Sequence, residues 1–197
     1  MKAGGRMSAL HPKFIVGIGG SAGALDAYKA FLNALSCETD MAFVIISHMS
    51  PTAYSQLAII LSRHTKMPVI VAYMNMPIQK NHVYVIPPDT DLIIENYAFK
   101  LISPRSVRNK QIDIFLASLA ETMGARAISI ILSGYNGDGA EGCKQIKAKG
   151  GITFAQDMSA EVEQMPLIAQ ASGCVDFVMP PGKIPGKLKR LSAALKT

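Results

Sequence analysis

The stretch Phe14–Ala27, "FIVGIGGSAGALDA", decides how this chain is read. An apolar, β-like run passes through clustered glycines into residues with helical spacing. Such a corner serves one of two chemistries: it cradles a dinucleotide pyrophosphate, or it presents a nucleophilic serine. Gly17, Gly19 and Ala22 satisfy G-x-G-x-x-A, but that fingerprint also wants an acidic residue at the end of the second strand to hold a ribose. Here the second strand, "AFVIIS", runs into His48, and Asp40 precedes it at the wrong end of the sheet. The same letters contain Gly19-Gly20-Ser21-Ala22-Gly23, a G-x-S-x-G turn whose small neighbours let the backbone bend and expose the hydroxyl. A helix N-terminus beside it would supply N–H groups and partial positive charge to a developing oxyanion. Taken alone, the pentapeptide is equally well explained by a helix-capping serine.

Outward from this corner, β-branched runs alternate with helical periodicity. A helix is expected over Ala24–Leu35, a strand at "AFVIIS", a helix over Ala53–His64 and a strand at "PVIVAY". "HVYVIPPDTDLIIEN" reads as an antiparallel hairpin turning at Pro-Asp, followed by "AFKLIS". Then come a helix over Ile112–Met123, the strand "AISIILS", a glycine-rich turn, and a lysine-bearing helix over Ala140–Lys149. "GITFAQ" and a strand near "VDFVM" follow, and a terminal helix from Ile184 is interrupted early by Pro185. Wholly apolar strands alternating with helices predict an α/β fold: a doubly wound, mostly parallel sheet with helices on both faces and an antiparallel hairpin. Residues 1–13 read as a flexible leader and 14–197 as one domain.

Composition narrows the function. With 49% hydrophobic and 17% charged residues among 197, the chain is of the folded, globular class. No apolar run approaches the roughly 20 residues that span a bilayer, so no membrane insertion is expected. Cys37, Cys143 and Cys174 form no CxxC pair and are expected to be reduced, small buried side chains in a cytoplasmic protein. The net charge is +6, with an excess at Lys144, Lys147, Lys149, Lys183, Lys187, Lys189 and Arg190. These residues read as a solvated basic face or a dock for an acidic protein. No nucleic-acid signature accompanies them. No two histidines have metal-ligand spacing, so no metal is expected.

A serine hydroxyl needs a base, and the base needs an orienting acceptor. Ser21 follows the first strand, His48 follows "AFVIIS" in "SHMSP", and Asp138 follows "AISIIL" in "SGYNGDGA". In a parallel sheet all three would lie at the carboxyl edge, where α/β proteins place their sites. His11, His64 and His82 sit in the leader, at a helix end and at a hairpin start. The chain order Ser, His, Asp differs from the Ser, Asp, His order of α/β-hydrolases.

These letters resemble the catalytic domain of the CheB family of chemotaxis protein-glutamate methylesterases. The resemblance is carried by "GGSAG", "SHMSP" and "LSGYNGDGAEG", and extends from about Phe14 to Leu188 through "YVIPPD", "IDIFLASLA" and "GGITFAQD…EQMP…VDFVMPP". It implies hydrolysis of γ-glutamyl methyl esters on methyl-accepting chemoreceptor helices, with deamidation of glutamines as an associated activity, and no cofactor. It implies Ser21 as nucleophile, His48 as base and then acid, Asp138 as the group orienting His48, and the backbone N–H groups of Ala22 and Tyr135 at the oxyanion. A receiver domain or a methyltransferase is the implied partner. Several positions depart from the family pattern: Asn109-Lys110-Gln111 precedes Asp113 where Arg-Pro-Ser is typical, Ser47 replaces a glutamine, and Gly20-Ser21-Ala22 replaces Ala-Ser-Thr. Asn136-Gly137 inverts a common Gly-Asn. Two alternatives stand beside this reading: the same mechanism on another ester or amide, and a non-catalytic receptor-docking module.

Overall fold

The computed structural model describes residues 11–48 and 54–194. Its central strand is β1 (Phe14–Gly20), buried along its whole length. Parallel neighbours flank it: β2 (Met41–Ser47) on one side and β7 (Ala127–Ile131) on the other. Beyond β2 lie β4 (His82–Val85) and β3 (Val69–Val71); beyond β7 lie β8 (Ile152–Gln156) and β9 (Phe177–Met179). Every pairing in this seven-stranded sheet is parallel, and a separate antiparallel pair joins β5 (Asp91–Glu95) to β6 (Ala98–Ile102). The expected fold class is the observed one.

The two faces of β1 bury different cores, because successive side chains of a strand point to opposite sides. Phe14, Val16 and Ile18 pack with α1 (Ala24–Asn33), α2 (Tyr54–Ser62) and α6 (Ile184–Ala194). Ile15 faces the other way, into a core shared with α3 (Gln111–Met123), α4 (Ala140–Ala148), α5 (Gln164–Ala171) and the hairpin. On that second face Gly17 and Gly19 carry no side chain, and α3 lies against the bare strand. A Cβ on Gly17 would come within 2.7 Å of Leu116 Cδ2, and one on Gly19 within 2.5 Å of Ile112 Cγ2. The glycines that mimic a cofactor fingerprint are therefore helix-packing residues, and they set the first turn of α3 beside the carboxyl end of β1.

Four expectations need correction. The antiparallel hairpin is β5–β6, whereas β4 belongs to the parallel sheet. The tight turn sits at Asn96 and Tyr97, with φ of 52° and 59°, the left-handed pair that a two-residue hairpin requires; Pro87-Pro88-Asp89 instead lead the chain out of the sheet. A helix, α5, intervenes between β8 and β9; its short span and the proline in its first turn hid it, but two parallel neighbours need such a crossover. Pro185 does not interrupt α6, because it lies in the first turn, where a missing N–H costs nothing. Cys143 and Cys174 are buried free thiols as expected, whereas Cys37 is exposed.

Residues 1–10 of the expected leader lie outside the described residues, as do Met49–Pro51 of "SHMSP" and Ala53 at the expected start of α2. His11, within the expected leader, stacks on Tyr97 with ring centroids 4.5 Å apart. Gly19→Val should force two branched methyls into Ile112 and cost about 2 kcal/mol, the usual penalty of overpacking. Urea unfolding checks this; an unchanged midpoint would mean that α3 does not rest on the bare strand.

Candidate active site

β1 ends at Gly20, and the chain turns at once. Ser21 N–H donates to Ser133 O at 2.9 Å, and Ala24 N–H donates to Ser21 O at 3.1 Å, closing the corner. The left-handed residue of the turn is Gly23, with φ of 71°; a Cβ there would also lie 2.7 Å from Glu161 Cβ. Ser21 itself has no positive φ, so the backbone strain falls on glycine and leaves the serine relaxed. Gly23 holds the N-cap position of α1, and among the described residues no side chain caps that helix. The helix-cap explanation of Ser21 therefore fails, and Asp40, the acidic residue weighed for a ribose, does not lie at this edge. Asp40 O accepts from Lys13 N–H just ahead of β1, at the amino edge of the sheet.

The register pairs Gly20 with Ser47. Ser21 and His48 are thus the next residues off two adjacent parallel strands, whose backbones lie about 4.8 Å apart. Asp138 arrives from the other flank of β1, on the loop after β7. His48 Nε2 meets Asp138 Oδ2 at 2.6 Å, with the aspartate side chain fully buried and that of His48 only 7% exposed. The same carboxylate accepts Ile112 N–H at 3.0 Å and Asp113 N–H at 2.9 Å, both from the first turn of α3. A carboxylate only accepts, so Nε2 is the donor and Nδ1 is left with the lone pair that can take a proton. Among the described residues no hydrogen bond joins Ser21 Oγ to His48. Bonds of this type commonly close only when substrate is present.

The 133–139 loop, "SGYNGDG", shapes the rest of the site. Buried Ser133 ties it down: its N–H donates to Gln156 Oε1 at 3.0 Å, its Oγ donates to Ala22 O at 2.8 Å, and Val162 N–H donates to that Oγ at 2.9 Å. A Cβ on Gly134 would sit 3.0 Å from Ser21 Cβ, so glycine is what lets this loop lie against the serine. Tyr135 is 62% exposed, and among the described residues neither its N–H nor that of Ala22 has an acceptor. Asn136 takes a left-handed φ of 65°, which asparagine tolerates, and its Oδ1 accepts Asp138 N–H at 2.9 Å. The inverted Asn-Gly order is thereby accommodated. Ser133 and Gln156 were not singled out from the sequence, where each reads as an ordinary strand-end residue, and Asn136 stood out there only for its inverted order with Gly137.

The competing histidines are engaged elsewhere: His64 Nδ1 pairs with Asn33 Oδ1 at 3.2 Å, and His82 Nδ1 with Lys80 O at 2.9 Å. Among the described residues no group of three His, Cys, Asp or Glu side chains could hold a metal ion, and no helix is long and apolar enough to cross a membrane. The basic residues do not form one surface. Lys144 and Lys147 belong to α4 on one side of the sheet, and Lys187, Lys189 and Arg190 to α6 on the other. Lys144 pairs with Glu141, Lys147 with Asp176 and Lys149 with Glu121.

Residues 16–188 match the family model described as CheB methylesterase. A protein-glutamate methylesterase/protein-glutamine glutaminase 2 of Vibrio vulnificus is 33% identical over 87% of this chain and 52% of its own length. A protein-glutamate methylesterase/protein-glutamine glutaminase of Hydrogenovibrio crunogenus is 30% identical over 90% of this chain and 49% of its own. The chain thus spans about half the length of these two relatives. The crystal structure of the Thermotoga maritima CheB methylesterase catalytic domain superposes with a TM-score of 0.83 at 28% identity, covering 90% of this chain and 98% of that one.

Asp138→Ala would strip the buried N–H of Ile112 and the part-buried N–H of Asp113 of their acceptor. A loss of about 2 kcal/mol in urea unfolding is expected, the cost of leaving such groups unpaired. Wild-type stability in that variant would show that the carboxylate does not hold α3.

Proposed function

This chain belongs to the CheB methylesterase family, and from that premise we propose that it is a serine-dependent carboxylic ester hydrolase of the protein-glutamate methylesterase type. Its substrate class is the γ-glutamyl methyl ester on cytoplasmic helices of methyl-accepting chemoreceptors. The side-chain amide of glutamine is a second target of the same chemistry, as the names of both relatives indicate for those proteins. The observation that carries the proposal is the 2.6 Å pairing of His48 with buried Asp138, at the strand edge where the adjacent turn leaves Ser21 half-buried.

In this reading Ser21 Oγ attacks the ester carbonyl while His48 Nδ1 takes its proton. Asp138 holds the ring through Nε2–H and stabilises the imidazolium that forms. The tetrahedral oxyanion is met by the N–H groups of Ala22 and Tyr135, which among the described residues have no protein acceptor to give up in turning to it. Collapse expels methanol, which leaves with the proton held by His48. Water then repeats the sequence on the acyl-serine: His48 takes its proton, the oxygen adds to the carbonyl, and Ser21 departs with that proton, freeing the glutamate. The site supplies two things that water does not, a base beside the nucleophile and oriented donors. The paired His48–Asp138 arrangement favours this over a docking module, which has no use for a buried imidazole–carboxylate contact.

Purified protein should release methanol from methylated receptor, and Ser21→Ala should lower that rate by at least about 1,000-fold, the scale on which nucleophile loss acts. A serine-directed phosphonate should label the native protein and spare the variant. Methanol release that persists in Ser21→Ala would remove this serine from the reaction. Labelling without methanol release would move the substrate to another ester or amide.

A further inference from the structure

The helices α3 and α4 start at the site, and neither supplies its own N-terminal cap. The N-cap positions are Lys110 and Gly139, and neither makes a side-chain capping bond. Each is capped by a carboxylate from the other segment instead. Asp138, one residue before Gly139, accepts the N–H groups of Ile112 and Asp113. Asp113, in the first turn of α3, accepts Gly139 N–H at 2.8 Å and Gly142 N–H at 2.9 Å on the same oxygen, Oδ1. The result is a closed ring: Asp113 N–H binds the side chain of Asp138, and the peptide N–H leaving Asp138 binds the side chain of Asp113. Both the backbone and the carboxylate of Asp138 are thereby referenced to one residue of α3.

Resting on the esterase reading above, we propose that Asp113 is a positioning residue for catalysis, fixing the aim of Asp138 at His48. The reason is geometric. Gly139 sits at φ 96°, a conformation open to glycine, where the peptide has a wide choice of orientation unless something holds its N–H. Asp113 holds it. With that hold gone, the Asp138 peptide can rotate, and the carboxylate turns away from a ring it now meets at 2.6 Å. Misplacement on the scale of 1 Å at such a site costs on the order of 100-fold in rate. The second oxygen of Asp113 faces Lys110 Nζ at 2.9 Å, an exposed pair that contributes little by comparison.

Two near-isosteric variants separate position from charge. Asp113→Asn keeps an acceptor at the Oδ1 position and removes the charge; Asp113→Glu keeps the charge and carries it one methylene too far. We expect Asp113→Asn to lose under about tenfold in kcat, since a neutral acceptor replaces a charged one. Asp113→Glu should lose about 100-fold in kcat, with KM unchanged. Lys110→Ala should match wild type. The readouts are methanol release from a receptor peptide bearing a γ-glutamyl methyl ester and, independently of any substrate, the low-field NMR resonance of the His48 Nε2 proton. That resonance should persist in Asp113→Asn and shift or vanish in Asp113→Glu. The proposal is overturned if the resonance is the same in both variants, or if kcat falls only in step with melting temperature. If wild type releases no methanol, the esterase reading fails while the resonance still decides the role of Asp113.

Discussion

One carboxylate sits where the structure's constraints meet. Asp138 closes the N-terminus of α3 and grips the imidazole of His48 with the same two oxygens. A buried carboxylate is costly unless its lone pairs are used, and here three N–H donors use them. The partial positive charge at the start of a helix adds to the same balance. The helix cannot move without disturbing the ring, and the ring cannot swing without leaving the helix uncapped. Stability and aim are coupled through a single side chain.

That coupling depends on how near α3 comes to the sheet. Gly17 and Gly19 leave one face of β1 bare, and Leu116, Phe115 and Ile112 settle into the space. The first turn of α3 is thereby delivered to the carboxyl end of the central strand. The chain lays β2, β4 and β3 to one side of β1 and then crosses through the hairpin and α3 to begin β7 on the other. β1 and β7 therefore border the point where the strand order reverses, the place where loops diverge and leave a crevice. Ser21 lies at one lip of it and the 133–139 loop at the other. Ser133 stitches the two together with bonds to Ala22, Val162 and Gln156.

Departures from the family pattern find physical accommodation rather than loss of the site. Asn136 takes the left-handed position that glycine would otherwise fill and puts its side chain to use on Asp138 N–H. Gly20 packs under Tyr28, where a Cβ would lie 2.5 Å from the phenol oxygen. Burial pushes the Tyr28 hydroxyl well above the usual tyrosine range, with an opposing contribution from Ser47, so this ring serves as packing beneath the turn. The lysines that crowd together in the late sequence end up on opposite sides of the sheet, three of them paired with nearby carboxylates. Proximity along the chain made them look like one surface, and the fold separates them.

The sequence by itself determined the sheet, its parallel character and the candidate trio. Apolar strands announce burial on both faces, and a strand's end in a parallel sheet can lie only at one edge; Ser21, His48 and Asp138 were readable on that basis. It also misassigned the hairpin, since Pro-Asp chemistry marks a turn without saying which strands it joins, and it passed over α5, whose eight residues are too few for a clear period. Only the tertiary structure decided that Gly17 and Gly19 serve a helix rather than a phosphate, and that Asp138 and Asp113 cap one another's helices. Those outcomes depend on which segments approach each other across many intervening residues. Local spacing records what each segment is able to become, and only packing selects the partner it meets.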